Sequence, residues 1–405
     1  MRPILICMIA ILCTLPSCAS NDQLAFSVDV RGETGFRVWS AATGKSRRLA
    51  EGYRVGGLCF SPDGKRIAFL AAHPQETQNE KEELSRVPGE PPPAVWNDLD
   101  YELFILDMAN DSIKQVTTGF WGGQGVSIAW RPGTEQVAAA RTRWYFDRTF
   151  YEPVDAGLWL INVKTGELIQ VIASADSGQP VNVKSLFNQD GSMLACLRAG
   201  RYGAVLEIKH PDKWYRLDRP GGLMDGYSVM DWVWQGDNLL VGTTGQFGGI
   251  WRWRVKEKPA FTHPIMDEPS VTVPHNQTSA ELLFGKGQTV YALALSPDRR
   301  RIAYLMDSGV WLYDFRNRTP RRLESQDDIP GIKDLRGIDM YIPSLADLSW
   351  SGSGRYLSVR IYEEKGNTDK LALIDTTSNE IIKPFPGNDA IKIFSAWQPA
   401  NTGKG

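Results

Sequence analysis

Histidine and cysteine are scarce in this chain, and neither falls in a pattern that carries chemistry. The four histidines, His73, His210, His263 and His275, are scattered along 405 residues. A catalytic zinc needs about three protein ligands converging on one point, so no metal site is expected, and no cofactor. The five cysteines show no Cys-x-x-Cys spacing, which removes the common zinc and redox motifs. A Gly-x-Ser-x-Gly elbow, the mark of a serine hydrolase, is also absent. The stretch Gly285-Lys-Gly-Gln-Thr289 lacks phosphate-loop spacing and reads as a turn before a strand. Net charge is only −2, from 45 basic and 47 acidic side chains, so no global field draws the protein to nucleic acid. No segment shows helical periodicity.

The first residues are of another kind. Ile4 to Leu15 is apolar apart from Thr14, follows Met1-Arg2, and leads into Leu15-Pro-Ser-Cys18. The run is short for a bilayer span and has the form of an export signal. Its ending resembles the lipobox of bacterial lipoproteins, with Pro16 where that pattern carries Ala, Ser, Thr or Val. The resemblance implies a signal over residues 1–17, with Cys18 lipid-modified as the first mature residue. It also implies a short tether over 18–22 and, from Ala19, outer-membrane sorting in a Gram-negative cell. Ordinary cleavage after Ala19 is the other reading and gives a soluble exported protein. Cys59 and Cys196 then remain as two buried thiols, too far apart in the repeat to pair.

The rest of the chain repeats. At Phe60, Trp130, Phe187, Trp234, Leu295, Trp350 and Trp397, a short apolar run ends in a bulky residue and passes into a tight turn. These positions recur every 47 to 70 residues. Each turn is followed by a second strand (Arg66–Leu70, Arg301–Leu305), a third (Leu103–Asp107, Val310–Asp314) and a weak polar fourth. Short runs of period two between Pro, Gly, Asp and Asn turns are strands, and four per unit make a propeller blade. The expected fold is all-β: a single seven-bladed β-propeller over 23–400, four antiparallel strands per blade, with a tail at 401–405. Leu24–Val30 opens the chain as a second strand, and its missing first strand is Ile391–Trp397, so the C-terminal strand closes the ring. Closure removes open sheet edges.

Extra length is read between second and third strands (Ala72–Asp100, Arg141–Asp155, Ile361–Asp369) and between blades (Asp267–Gln288, Glu324–Ser344). Both connection types emerge at one face, which is therefore expected to be elaborated while the other stays minimal. Such loops are where function is grafted onto a scaffold.

The runs Phe60-Ser-Pro-Asp-Gly-Lys-Arg-Ile-Ala-Phe69 and Leu295-Ser-Pro-Asp-Arg-Arg-Arg-Ile-Ala-Tyr304 resemble the TolB-type propeller repeat, a relative of the WD repeat. The resemblance implies a bacterial cell-envelope setting. TolB itself has six blades and a separate N-terminal α/β domain, for which this chain has no room. The repeat family includes lyase and peptidase propellers.

Two groups of residues stand out as candidate sites. The segment Arg141–Tyr151 holds Arg141, Arg143, Trp144, Tyr145, Arg148 and Tyr151, residue types that dominate protein interfaces. The same set suits a sugar or an anion, and a hairpin packing its own aromatics is the plain reading. Ala72–Asp100 is polar, charged and Pro-rich without apolar pattern, the composition of a mobile loop. Lys184, Asp231 and Asp347 lie three residues before the bulky position, on first strands that line the propeller axis. They are expected either to hold water or a small polar ligand there or to form a buried ion pair. The leading expectation is a non-catalytic cell-envelope scaffold, facing the periplasm, that binds a protein through the elaborated face. Its contact with the membrane is by the lipid anchor alone, and a glycan or small molecule is a further ligand class. The alternative is a carbohydrate-active lyase or hydrolase at the axial mouth, with Asp147, Glu152, Asp327 and Asp328 as candidate carboxylates.

Overall fold

A computed structural model describes residues 22–27, 34–74, 101–120, 128–147, 150–173, 181–200, 203–210, 213–216, 229–245, 248–255, 280–325, 346–363, 368–382 and 395–399. The expected signal over residues 1–17, Cys18 as the candidate for lipidation and the Ala72–Asp100 insertion beyond Pro74 lie outside them. So do His263, His275, Asp327 and Asp328.

The described strands, β1 to β28 in chain order, form seven four-stranded antiparallel sheets. One sheet shows the plan: β4 (Arg54–Phe60), β5 (Arg66–Ala72), β6 (Glu102–Asp107) and β7 (Ile113–Gln115) pair in sequence order. The first strands of the others are β8 (Ile128–Trp130), β12 (Val181–Phe187), β16 (Val229–Gln235), β20 (Ala292–Leu295) and β24 (Ala346–Trp350). In the remaining sheet the first strand is β28 (Ser395–Trp397), from the far end of the chain. It pairs with β1 (Gln23–Ser27) through Leu24↔Trp397, Ala25↔Ala396 and Phe26↔Ser395. These seven first strands touch in succession and β28 touches β4, which closes the ring. Counting around the ring, blade one is the sheet of β28 and β1, blade two that of β4, and so on to blade seven with β24.

The repeat is explained by what its residues do. In blade two Ser61 Oγ donates to Asp63 Oδ1 at 2.6 Å and accepts from Arg66 N, while Lys65 N donates to Asp63. Ser296, Asp298, Arg300 and Arg301 reproduce this network in blade six. The turn needs a left-handed residue, supplied by Gly64 at φ 67° in one copy and by Arg299 at φ 59° in the other. The bulky position ties neighbouring blades together. Trp350 Nε1 donates to Ala294 O and Trp234 Nε1 to Leu186 O, each at 2.9 Å and each in the blade before. The preceding blade also supplies an arginine: Arg66 stacks over Trp130 at 4.8 Å and Arg301 over Trp350 at 5.0 Å, contacts worth about 0.5–2 kcal/mol each. Apolar clusters fill the space between sheets, such as Phe36, Phe60, Phe69 and Phe104 between blades one and two.

Two expectations need correction and one is narrowed. Arg141–Asp155 takes the hairpin form of its plain reading: β9 (Gln136–Asp147) and β10 (Phe150–Asn162) run through it as paired strands. Its Thr, Trp, Tyr and Phe content is strand composition as much as interface composition. The one-sided elaboration fails. In blade five the third strand, β18, is Gly249–Arg254 and the fourth, β19, is Ala280–Phe284. The long connection between them is therefore third-to-fourth, on the face expected to be minimal. An outermost strand buries one side only, so its sequence signal is weak and its boundary is poorly marked. Finally, Cys196 is buried but Cys59 is only half-buried. Neither is in a disulfide, and burial pushes the Cys59 thiol up to about 12, so it stays protonated and unreactive.

Candidate functional site

Two of the three axial residues named from the sequence are in contact, and the charge of the third, Asp347, acts on Asp231. Lys184 on β12 reaches across to Asp231 on β16, with Nζ 2.5 Å from Oδ1. The same oxygen accepts from Trp232 N at 2.8 Å, and Oδ2 accepts from Leu293 N of β20 at 2.6 Å. One carboxylate thus joins blades four, five and six. Asp231 is buried and Lys184 half-buried, with the ammonium 5.7 Å from the Trp232 ring centre. Burial pushes the Asp231 carboxyl above its ordinary range; the charge of Lys184 opposes this, and that of Asp347 adds to it. Asp347 sits half-buried on β24 opposite Arg360. With its lone pairs taken by an ammonium and two backbone N–H groups, Asp231 is a structural clasp. Among the described residues no group of three His, Cys, Asp or Glu is placed to hold a metal.

The second candidate is the hairpin of blade three. Its inner part belongs to the sheet: β8 pairs with Val137–Ala139 of β9, and β11 (Leu168–Ala173) pairs with β10 between Gly157 and Ile161. Beyond Ala140 and Gly157 the two strands pair only with each other among the described strands. The register runs from Arg141↔Gly157 to Asp147↔Phe150, with an irregularity between Pro153 and Asp155. At the usual rise per residue this ribbon extends about 20 Å past the sheet. Arg143, Trp144, Tyr145 and Tyr151 lie on it. Their side chains, Arg148 and the carboxylates Asp147 and Glu152 are outside the described set. Arg141, at its root, stacks over Trp159 at 5.8 Å.

Of the remaining histidines, His73 meets the Tyr53 ring at 6.0 Å, and His210 ends its strand opposite Lys213. Sequence reasoning misses a group of arginines at the tight-turn end of blade six, whose only trace in the sequence is Arg299-Arg-Arg301 and Arg316-Asn-Arg-Thr-Pro-Arg-Arg322.

This architecture defines a β-propeller. No protein-family model matches the chain, and no curated protein matches it. Among solved structures it is similar to a prolyl endopeptidase, at 12% identity and a TM-score of 0.56 over 93% of this chain and 48% of that one. The chain thus spans about half the length of that enzyme. It is also similar to an oligogalacturonate lyase in complex with manganese, at 11% identity and a TM-score of 0.50 over 90% and 85% of the two chains. TolB from Acinetobacter baumannii matches at 15% identity and a TM-score of 0.47, over 86% and 83%. At these identities the likeness is one of fold.

Proposed function

We propose that this protein is a non-catalytic binding scaffold of the cell envelope, built on TolB-type repeats and held to the membrane by a lipid on Cys18. The ring holds itself together, and the blade-three ribbon receives a protein partner. The observation that carries this reading is the ribbon's backbone. From Arg141 to Asp147 and from Phe150 to Ala156, each strand has a neighbour on one side only among the described strands. An extended ribbon with open edges is a substrate for strand addition, in which main-chain hydrogen bonds supply affinity and alternate side chains supply specificity. Arg, Trp and Tyr at its register positions are the residue types that anchor interfaces. No helix among the described residues is long and apolar enough to cross a membrane.

The test is to replace residues 142–155 by an Asn-Gly turn joining Arg141 to Ala156 and to compare partners captured from cross-linked envelopes. A partner held by the intact chain and lost from the trimmed, still folded chain supports the reading. An unchanged set of captured proteins overturns it.

A further inference from the structure

We propose that the tight-turn end of blade six is a docking surface for an anionic phospholipid bilayer, so that the protein stands on the membrane with the blade-three ribbon pointing away from it. The orientation rests on the lipid-anchor reading above; the arginine surface stands without it.

Arg300 lies in the first-to-second turn of blade six, and Arg316 and Arg318 lie in its third-to-fourth turn. Phe315 N donates to Arg300 O at 2.9 Å, which sets the two turns side by side. All three arginines are exposed, and among the described residues none of their guanidinium groups donates a hydrogen bond or enters an ion pair. Arg321 joins them at this end, held by Thr376 O and Asn379 Oδ1 of blade seven. The nearby carboxylates are committed to the turns themselves. Asp298 accepts from Ser296 Oγ and Arg300 N, and Asp314 from the backbone N–H groups of Arg316 and Asn317. Over the same turns blade six sets six arginines between Arg299 and Arg321 against Asp298 and Asp314, whereas blade two sets Lys65, Arg66 and Lys114 against Asp63, Asp107 and Asp111. Charge on an outermost strand guards a sheet edge against unwanted pairing. That accounts for Arg321 and Arg322, but not for three exposed arginines on turns whose guanidinium groups make no ion pair among the described residues.

A second observation, taken with the lipid-anchor reading, bears on the orientation. The chain enters the ring at this same end, because Asp22 precedes β1, whose N-terminus lies among the first-to-second turns. The Asp22 carboxylate accepts from Ser353 N at 2.9 Å and from Ser353 Oγ, in the first turn of blade seven. The next residue of that turn, Gly354, accepts from Arg301 Nη2 at 3.2 Å. Chain entry and the blade-six arginines are therefore neighbours across one turn. Cys18 lies four residues before Asp22, a reach of at most about 14 Å, so an acyl chain there brings this end close to the headgroups. A basic surface beside a single lipid is the second signal that stable anchoring requires.

The probe is a set of vesicles of phosphatidylcholine alone or mixed with phosphatidylglycerol, sedimented with the mature chain from residue 18 carrying Cys18→Ser. Binding to the anionic vesicles only, weakened by salt, is expected. It should fall about a hundredfold in R300S/R316S/R318S and persist in R300K/R316K/R318K, with unchanged melting in both. Failure to bind either vesicle, as an acidic protein ligand for this surface would give, overturns the proposal. So does binding indifferent to the serine substitutions. If the native Cys18 chain partitions into neutral vesicles no better than Cys18→Ser, the anchor reading fails while the arginine surface stands. Trimming the ribbon should leave vesicle binding untouched.

Discussion

The axis of the ring and the blade-three ribbon are built from the same antiparallel pairing, yet they answer to opposite demands. At the axis the carboxylate of Asp231 is used up inside the fold and serves three blades at once. Along the ribbon the backbone pairs on one side and leaves the other edge open among the described strands. The difference teaches where to look for function in such a scaffold. A charged residue deep in the ring marks stability, whereas backbone left unpaired marks a surface for something else.

The sharpest way to break this contrast is at Asp231. Replacing it with Ala leaves the N–H groups of Trp232 and Leu293 and the Lys184 ammonium without their acceptor. We expect a loss of about 3–5 kcal/mol in denaturant unfolding, with part of it recovered when Lys184→Met is added. A loss no larger than that of a surface substitution would mean that the axis is not a clasp. Next in size is Trp350→Phe, which removes the hydrogen bond to Ala294 O and should cost about 1 kcal/mol. Glu135→Ala cuts a partly exposed pair with Arg66 at 2.7 Å and leaves the Arg66 stacking on Trp130 in place. It should cost at most about 1 kcal/mol, less in high salt.

The pH dependence sharpens the comparison by sign. Asp375 is held at about 2, with the Arg355 and Thr377 hydrogen bonds prevailing over burial. Its contribution is present above the ordinary pKa of 3.8 and is lost as pH falls toward 2. Asp231 is shifted upward, so its folded state binds the proton more tightly and it gains stability as pH falls toward 3.8. Asp375→Asn should therefore flatten the acid loss of stability, and Asp231→Asn should steepen it. Equal slopes in both variants would contradict the assignment.

Much of the ring is readable in the sequence because its grammar is local. The Ser-Pro-Asp turns at 61–63 and 296–298 specify their own hydrogen bonds within five residues. The pairing of β28 with β1 follows from a second strand that lacks its first. The charged trio at 184, 231 and 347 is legible from position alone, since all three precede the bulky residue by three. What escapes is non-local or weakly encoded. β19 buries little, so the sequence points the long connection of blade five to the wrong face. The role of the ribbon stays open in the sequence because aromatics interleaved with Arg serve an interface and a strand equally well. The blade-six arginines come from two segments that only the turn pairing of Phe315 with Arg300 brings together.

The smallest expected effect on stability is also the most informative. Trimming residues 142–155 removes no pairing to β8 or β11, so unfolding should change by no more than about 0.5 kcal/mol. The central claim is that this ribbon binds the protein partner. Cross-linked capture with intact and trimmed chains of equal stability tests it most directly. The account predicts a partner present with the first and absent with the second; the same partner recovered with both would contradict it.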